Sequence, residues 1–221
     1  MNRPLAIVDA AARRFRCTGC GNCCKEVWIN VTDADVRRLC DATGLSAAEV
    51  VQFPSVDAVE GTAEDDGWVA FGPDPKDVGL MTLRSNRATG ACRFLVDDRC
   101  SVYEARPRAC RLYPWDVERT PAGPKVRLDI FTECPHEEDG SLDVPSLLDE
   151  YELDEEERQA YEERIWEWEA EGAAEDPLEF LRFLGLPSRH SSLGPPPAAE
   201  EPASQGTAAK PQRSSVFRIF G

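Results

Sequence analysis

The chain has 221 residues, of which 42% are apolar, and this supply of apolar side chains excludes a wholly disordered protein. Its 25 basic and 41 acidic residues give a formal net charge of −16, which disfavours attraction to nucleic acid or anionic membranes. The imbalance lies in residues 133–181, a block with 20 acidic and two basic residues. We expect no nucleic-acid and no membrane partner, and we leave open an unidentified protein partner.

The compartment follows from the absence of long apolar runs. No run approaches the roughly 18 residues of a membrane span. The apolar stretch 5–8 is also shorter than the core of a secretory signal peptide, roughly 7–15 residues. These features predict a cytoplasmic protein with reduced thiols, and nine cysteines there indicate metal binding or redox chemistry.

The elements predicted up to residue 131 are short. Their boundaries come from capping residues, glycines and alternating apolar residues. In chain order they are a helix over 4–14, a cysteine loop over 17–24, a strand over 27–31, a helix from Thr32 to Gly44, a short helix from Ser46 toward Phe53, strands over 68–71 and 80–84, a hairpin over 91–103 turning at Asp97 and Asp98, a turn or short helix over 106–114, and a strand over 126–131.

The rest of the chain divides into a helical block and a tail. Tyr161, Ile165 and Trp168 follow helical spacing, which predicts that this face packs on the cysteine domain while the acidic residues are solvated. From Ser188 the composition turns to Pro, Ser, Ala and Gly, which is typical of disorder. The apolar end, 216–220, is either without function or docks on a partner or on the acidic helices.

The expected fold is therefore α+β, a small metal-stapled domain of short strands, hairpins and helices. Its expected parts are a cysteine-cluster metal-binding domain over 1–135, an acidic helical extension packed on it over 136–187, and a disordered tail over 188–221.

The strongest motif is a run of four cysteines, Cys17, Cys20, Cys23 and Cys24. Thiolates two residues apart in a glycine-containing turn converge on one metal, and they select zinc, copper(I) or iron–sulfur clusters. The spacing is similar to the opening of bacterial ferredoxin runs. Adjacent side chains usually diverge, so Cys23 and Cys24 either serve different metals or include one residue that is not a ligand.

A second group comprises Cys92, Cys100, Cys110 and Cys134. Cys92 and Cys100 are expected on opposite arms of the hairpin, where they face one site. Arg106 and Arg111 are expected to offset thiolate charge around the bound metal or cofactor. Cys40 shares an apolar helix face and is predicted to belong to the core.

The two groups, with the segment Cys100-Ser-Val-Tyr-Glu-x-Arg106-Pro107-x2-Cys110-Arg-x-Tyr113-Pro114, resemble the YkgJ-type cysteine-cluster family over roughly residues 16–135. Members of that family are described as zinc- or iron-chelating, or as iron–sulfur proteins, and flagellin lysine N-methylases carry a related domain. The final Cys134-Pro135-His136 departs from the Cys-Pro-Gly common in the family. The resemblance implies metal binding more firmly than any one activity.

Three functions follow from these motifs. The first is a protein whose eight cysteines, all except Cys40, hold one or two iron–sulfur clusters, such as [4Fe–4S], for electron transfer or a redox reaction. The second is a structural zinc- or iron-binding interaction module. The third is a protein-modifying enzyme related to flagellin lysine N-methylase. No catalytic residue is assigned, because the phosphate-loop, dinucleotide, hydrolase and zinc-protease motifs are absent from the sequence.

Overall fold

The computed structural model describes residues 6–25, 27–59, 67–74, 76–130, 133–188 and 215–217. The α-helices are α1 (Ala10–Arg14), α2 (Asp33–Thr43), α3 (Ala47–Val50), α4 (Arg108–Leu112), α5 (Val144–Ala170) and α6 (Pro177–Phe183). The strands are β1 (Ile7–Val8), β2 (Val27–Ile29), β3 (Val51–Gln52), β4 (Trp68–Ala70), β5 (Val78–Leu80), β6 (Thr82–Leu83), β7 (Leu95–Val96), β8 (Arg99–Cys100), β9 (Trp115–Thr120), β10 (Gly123–Leu128) and β11 (Ser215–Phe217). The expected α+β class is confirmed.

Local capping chemistry sets the ends of α2. The Thr32 side chain accepts the backbone N–H of Asp35, and the Asp35 carboxylate accepts the backbone N–H of Thr32, so a reciprocal capping box begins the helix. Gly44 ends it in the left-handed conformation at φ 72°. These boundaries match those predicted from the sequence.

The largest sheet differs from the prediction at both ends of the cysteine domain. Ile7 and Val8 form a strand parallel to β10, so the helix expected over 4–14 is wrong at these residues and starts only at Ala10. The strand expected over 126–131 is also shifted, because β9 and β10 form an antiparallel hairpin that pairs Gly123 with Thr120. Pairing across the sheet outweighed the local helical pattern.

The acidic extension contributes to the main core. Tyr161, Ile165 and Trp168 of α5 are buried in one cluster with Val36 and Leu39 of α2. The Trp168 indole also donates a hydrogen bond of 2.9 Å to the carbonyl oxygen of Ala70. The apolar stripe of α5 therefore packs on the first half of the chain. Within the described ranges, no helix is both long and apolar enough to cross a membrane.

Most of the tail predicted to be disordered, 189–214 and 218–221, lies outside the described residues. Ser215–Phe217 forms β11, which runs parallel to β2 and pairs Ser215 with Val27. The sequence suggests the acidic helices as a docking surface within the chain. The three described residues pair instead with the strand that follows the first cysteine loop.

One carboxyl group of α5 is buried and has no bonded cation among the residues that the structure describes. Asp154 is 9% exposed, and burial raises its pKa to about 7. The charges of Asp35, Glu155 and Glu157 add to this rise, while Arg158 opposes it. Ionised Asp154 therefore destabilises the folded chain at neutral pH.

Asp154→Asn is expected to become more stable than the wild type as the pH rises. The folded pKa lies above the ordinary value of 3.8, so the stability supplied by protonated Asp154 is complete below about pH 4 and is lost as the pH rises through about 7. The amide of the variant does not titrate, so the variant does not lose this stability. The difference in unfolding free energy between Asp154→Asn and the wild type should therefore increase by roughly 2–3 kcal/mol between pH 5 and pH 8.

Thermal and urea unfolding at both pH values, without added divalent cations, measure this difference. Glu163→Gln changes an exposed residue of the same helix and should behave as the wild type. An identical pH dependence for Asp154→Asn and the wild type would contradict the prediction.

Candidate metal centre

The first cysteine loop packs directly on the hairpin that carries the second group. Gly21 adopts φ 70°, and a Cβ atom there would lie 2.7 Å from the carbonyl oxygen of Asp98 and 3.0 Å from Leu95 Cδ1. Only glycine satisfies both the backbone conformation and this close approach. The glycine inside the cysteine run therefore joins two segments that are about 75 residues apart in sequence.

Backbone and surface contacts hold the same junction. The N–H of Cys92 donates a hydrogen bond of 2.7 Å to the carbonyl oxygen of Cys24. Lys25 forms an exposed ion pair with Asp98, with 2.7 Å between Nζ and the carboxylate. The hydrogen bond links the two cysteine groups directly, whereas the exposed pair contributes little to stability.

The segment around Cys134 closes over the other side of the loop. The Asn22 side chain donates a hydrogen bond of 2.7 Å to the carbonyl oxygen of Glu133, and the Thr18 hydroxyl donates to that of Pro135. Arg16 and Glu137 form an antiparallel bridge with backbone hydrogen bonds of 2.9 and 3.1 Å. Cys134 is thereby placed beside the first cysteine loop.

The hairpin and α4 carry the remaining cysteines of the second group. Asp97 and Asp98 form its turn at φ 49° and 58°, as expected for a two-residue hairpin loop, and Leu95 pairs with Cys100. Cys110 lies on α4, which follows a 3₁₀ turn at Tyr103–Ala105. The hairpin and the short helix predicted from the sequence are both present.

Four thiols form a mutually interacting set: Cys23, Cys92, Cys100 and Cys110. Burial raises the pKa of Cys110 well above its usual range, and Cys92, Cys23 and Cys100 raise it further. Burial likewise raises the pKa of Cys92 to about 12, with added contributions from Cys100 and Cys23. Burial also raises the pKa of Cys100, and Cys23 adds to the rise. Cys92, Cys100 and Cys110 are therefore protonated when no metal is bound, and all three lie within electrostatic range of Cys23.

The other thiols gather around Cys134. Burial raises the pKa of Cys134 to about 11, and Cys20, Cys17 and Cys23 add to the rise. Among these three thiols, Cys20 has the largest effect. The sulfurs of Cys23 and Cys24 lie 4.0 Å apart, and this contact is the largest cause of the raised pKa of Cys23. The eight cysteines thus form one neighbourhood, in which Cys23 interacts with both groups.

This donor set fits a metal that prefers thiolates, since eight sulfur atoms are available where hard cations would need oxygen. Among the described residues, no three His, Cys, Asp or Glu side chains already converge as a closed metal site. Metal binding would therefore have to draw the thiols together and displace their protons.

The comparisons with known proteins agree with this donor set. Residues 16–126, half of the chain, match the CxxCxxCC family model, described as "Putative zinc- or iron-chelating domain". The chain belongs to the CxxCxxCC family. Neither the curated proteins nor the solved structures contain a significant match.

Backbone amides of the CxxCxxCC domain point at several of its sulfurs. The N–H of Gly19 donates a hydrogen bond of 3.3 Å to Cys17 Sγ. Backbone hydrogen bonds from Phe94 and Val102 lower the pKa of Cys92 and Cys100 respectively, opposing the effect of burial. Such donors favour the thiolate form, which is the form that binds metal.

The two arginines expected to offset thiolate charge in the CxxCxxCC domain, Arg106 and Arg111, interact with different groups. The positive charge of Arg106 lowers the pKa of Cys23 and of Cys100, and its guanidinium stacks 3.9 Å above the Tyr103 ring. Arg111 instead donates hydrogen bonds to the carbonyl oxygens of Glu104 and Arg106, at 2.7 and 3.0 Å. Arg106 acts on the thiols directly, and Arg111 holds the turn that positions Arg106.

Cys40 lies in the apolar core, as predicted. It is 3% exposed and belongs to the cluster that contains Val36 and Leu39. Burial raises its pKa to about 11, with smaller effects of charged neighbours such as Asp41 and Arg37. Its surroundings are those of a structural thiol.

Asp35 anchors the helix that carries Cys110, although no sequence motif singles it out as a functional residue. Asp35 is 3% exposed, and its carboxylate accepts the backbone N–H of Arg108 at 3.0 Å as well as a hydrogen bond from Arg38. The capping box that involves Asp35 is readable from the sequence. Its bond to α4 is not, because the two residues are 73 positions apart.

Two acidic residues of α5 complete this anchor. Glu157 pairs with Arg38 and Arg108 at 2.7 and 2.9 Å, and Glu150 pairs with Arg108 at 2.6 Å. The expectation that the acidic face is simply solvated is therefore wrong at Glu150 and Glu157. These residues connect the extension to α2 and to α4 of the CxxCxxCC domain.

Proposed function

We propose that the eight clustered cysteines hold one or two iron–sulfur clusters and that the protein transfers electrons. The observation that carries this proposal is the mutually interacting set Cys23, Cys92, Cys100 and Cys110. Four thiolates are the usual ligands of one cluster. The two-residue spacing of Cys17, Cys20 and Cys23, as in ferredoxin runs, supports iron–sulfur over zinc.

The remaining four thiols favour a second site. Cys17 and Cys20 interact with Cys134, and Cys24 is the one other thiol of the loop. The proposed division thus assigns Cys23 and Cys24 to different sites. Because the sulfurs of Cys23 and Cys24 lie 4.0 Å apart, the two proposed sites would adjoin at this pair.

The protein's own groups would compensate the negative charge of the thiolates. Arg106 supplies a positive charge near Cys23 and Cys100, and backbone N–H groups donate to Cys17, Cys92 and Cys100. A bound iron–sulfur cluster supplies one-electron transfer, and such donors tune its reduction potential. Cys92 is buried, so one side of the proposed site is shielded from water.

Structural zinc is the second candidate. It is favoured by the way in which the cysteines join three short, irregular segments, 17–24, 92–110 and the neighbourhood of Cys134. A metal that crosslinks such segments supplies much of the folding free energy of a small domain. The domain would then present a surface to a protein partner.

Anaerobic purification of the full chain separates the two candidates. We expect a brown protein that contains iron and acid-labile sulfide, with visible absorption that bleaches on reduction. A colourless protein with stoichiometric zinc and no sulfide would replace the first candidate with the second. A protein that takes up neither metal after anaerobic reconstitution would contradict both.

A further inference from the structure

A small cavity lies between α5, the residues that follow β2 and Ala109 of α4. Its volume is about 50 Å³, and Asn30, Asp35, Asp154, Arg158, Tyr161 and Glu162 are among the residues that line it. A cavity of this size has room for roughly three water molecules, or for one ion with part of its hydration shell.

Three buried oxygen-bearing groups at this cavity lack a donor among the described residues. The Tyr161 side chain is 4% exposed, and its hydroxyl has no hydrogen-bond partner. The Asn30 Oδ1 atom is also buried without a partner. The carboxylate of Asp154, a residue that is only 9% exposed, forms no hydrogen bond within the described part of the chain. Buried oxygen atoms without partners are costly, so a ligand that contacts them would stabilise the fold.

The surrounding charges favour a positively charged ligand. Asp35 is already bonded to Arg38 and to the N–H of Arg108. Arg158 is held by Glu155 and Glu162 of its own helix, at 2.6 and 2.7 Å. The charge of ionised Asp154 is therefore left without a bonded cation, although Arg158 lies near enough to favour the ionised form.

We propose that this cavity binds one hard divalent cation, Mg²⁺ or Ca²⁺, with the Asp154 carboxylate as its anionic ligand. Asn30 Oδ1 supplies a neutral oxygen ligand, and the Tyr161 hydroxyl accepts a hydrogen bond from a water molecule on the ion. Carboxylate, amide oxygen and water are the ligands that these cations prefer, whereas the cysteine groups suit softer metals. The site is thus chemically separate from the metal centre and does not rest on the proposed function.

Affinity should be low, because a single carboxylate ligand is available. Weak Ca²⁺ modules have dissociation constants of roughly 0.1–1 mM, and we expect a value at or above this range. A proton competes with the cation for Asp154, which is faced by Asp35 from α2 and by Glu155, Glu157, Arg158, Tyr161 and Glu162 from its own helix. Cation binding should therefore be clear at pH 8 and absent at pH 5.

Titration of the full chain, purified with its cysteine-bound metal, tests the proposal. At pH 8 and constant ionic strength, about 5 mM MgCl₂ or CaCl₂ should raise the melting temperature, and calorimetry should give one site per chain. Asp154→Asn should weaken binding at least about tenfold, and Tyr161→Phe should weaken it less. Glu163→Gln, an exposed change on the same helix, should bind as the wild type does.

The outcomes separate a cation site from its alternatives. A rise in melting temperature shared equally by Asp154→Asn would overturn the proposal, because it would reflect general charge screening. If the wild type fails to respond to either cation at pH 8 while Asp154→Asn is more stable there, Asp154 binds only a proton and the cation site does not exist. Iron, zinc and sulfide contents should be the same in all variants, so these results are independent of the cysteine metal.

Discussion

Cys110→Ser is expected to remove metal and to destabilise the protein by roughly 5–10 kcal/mol, on the scale of a structural metal site. Cys110 interacts with Cys92, Cys23 and Cys100, so its loss removes one member of a set of four thiols. Metal analysis and thermal unfolding of the anaerobically purified variant measure both effects. Cys20→Ser should behave in the same way, because Cys20 interacts electrostatically with Cys134 in the other set of thiols.

Cys40→Ser is the matched control, since it makes the same chemical change at a thiol that is 3% exposed in the core. It should lower the stability by roughly 1–3 kcal/mol, the cost of burying a hydroxyl, and keep the full metal content. If two sites exist, Cys110→Ser and Cys20→Ser should each retain part of the metal when the domain stays folded. Equal metal loss in Cys40→Ser and Cys110→Ser would contradict the assignment of Cys40 to the core.

Asp35→Ala is expected to cost about 3–5 kcal/mol of unfolding free energy. The substitution removes the acceptor for the half-buried N–H of Arg108, the ion pair with Arg38 and half of the α2 capping box. Since Arg108 begins α4 and precedes Cys110 by two residues, the metal should also be lost faster to a chelator. Urea unfolding and the rate of metal transfer to a chelator measure the two effects.

Asp33→Ala provides the comparison, because Asp33 lies in the same first turn of α2 but pairs with Arg37 at 3.7 Å near the surface. It should cost no more than about 1 kcal/mol and leave the rate of metal loss unchanged. A similar cost for both substitutions would show that the bond from Asp35 to α4 contributes nothing beyond helix capping.

Several elements were predictable because their causes are local. The capping boxes at Thr32 and Ser46 start α2 and α3, and the Asp97-Asp98 turn sets the hairpin. The family of the domain was recognisable for a similar reason, since metal ligands must follow a spacing that a short loop can bring together.

Other features depended on residues far apart in sequence. Ile7 and Val8 form a strand only because β10 offers them a partner, and Glu157 of the acidic block is paired only because Arg38 and Arg108 meet it. Local patterns describe neither pairing. Residues 7 and 8 were therefore predicted to be part of a helix, and Glu157 was predicted to be a solvated surface charge.

The cysteines show most clearly which features the sequence determines and which features the tertiary structure determines. Residue types and spacing alone determine that the chain carries a thiol-rich domain of the CxxCxxCC family and that Cys40 lies on an apolar helix face. Folding decides that Cys23 lies within electrostatic range of Cys92, Cys100 and Cys110, that Cys134 lies beside the first cysteine loop, and that Asp35 anchors α4. The physical reason is that thiol convergence and buried ion pairs arise from contacts between distant segments, whose approach is set by the packing of the whole core.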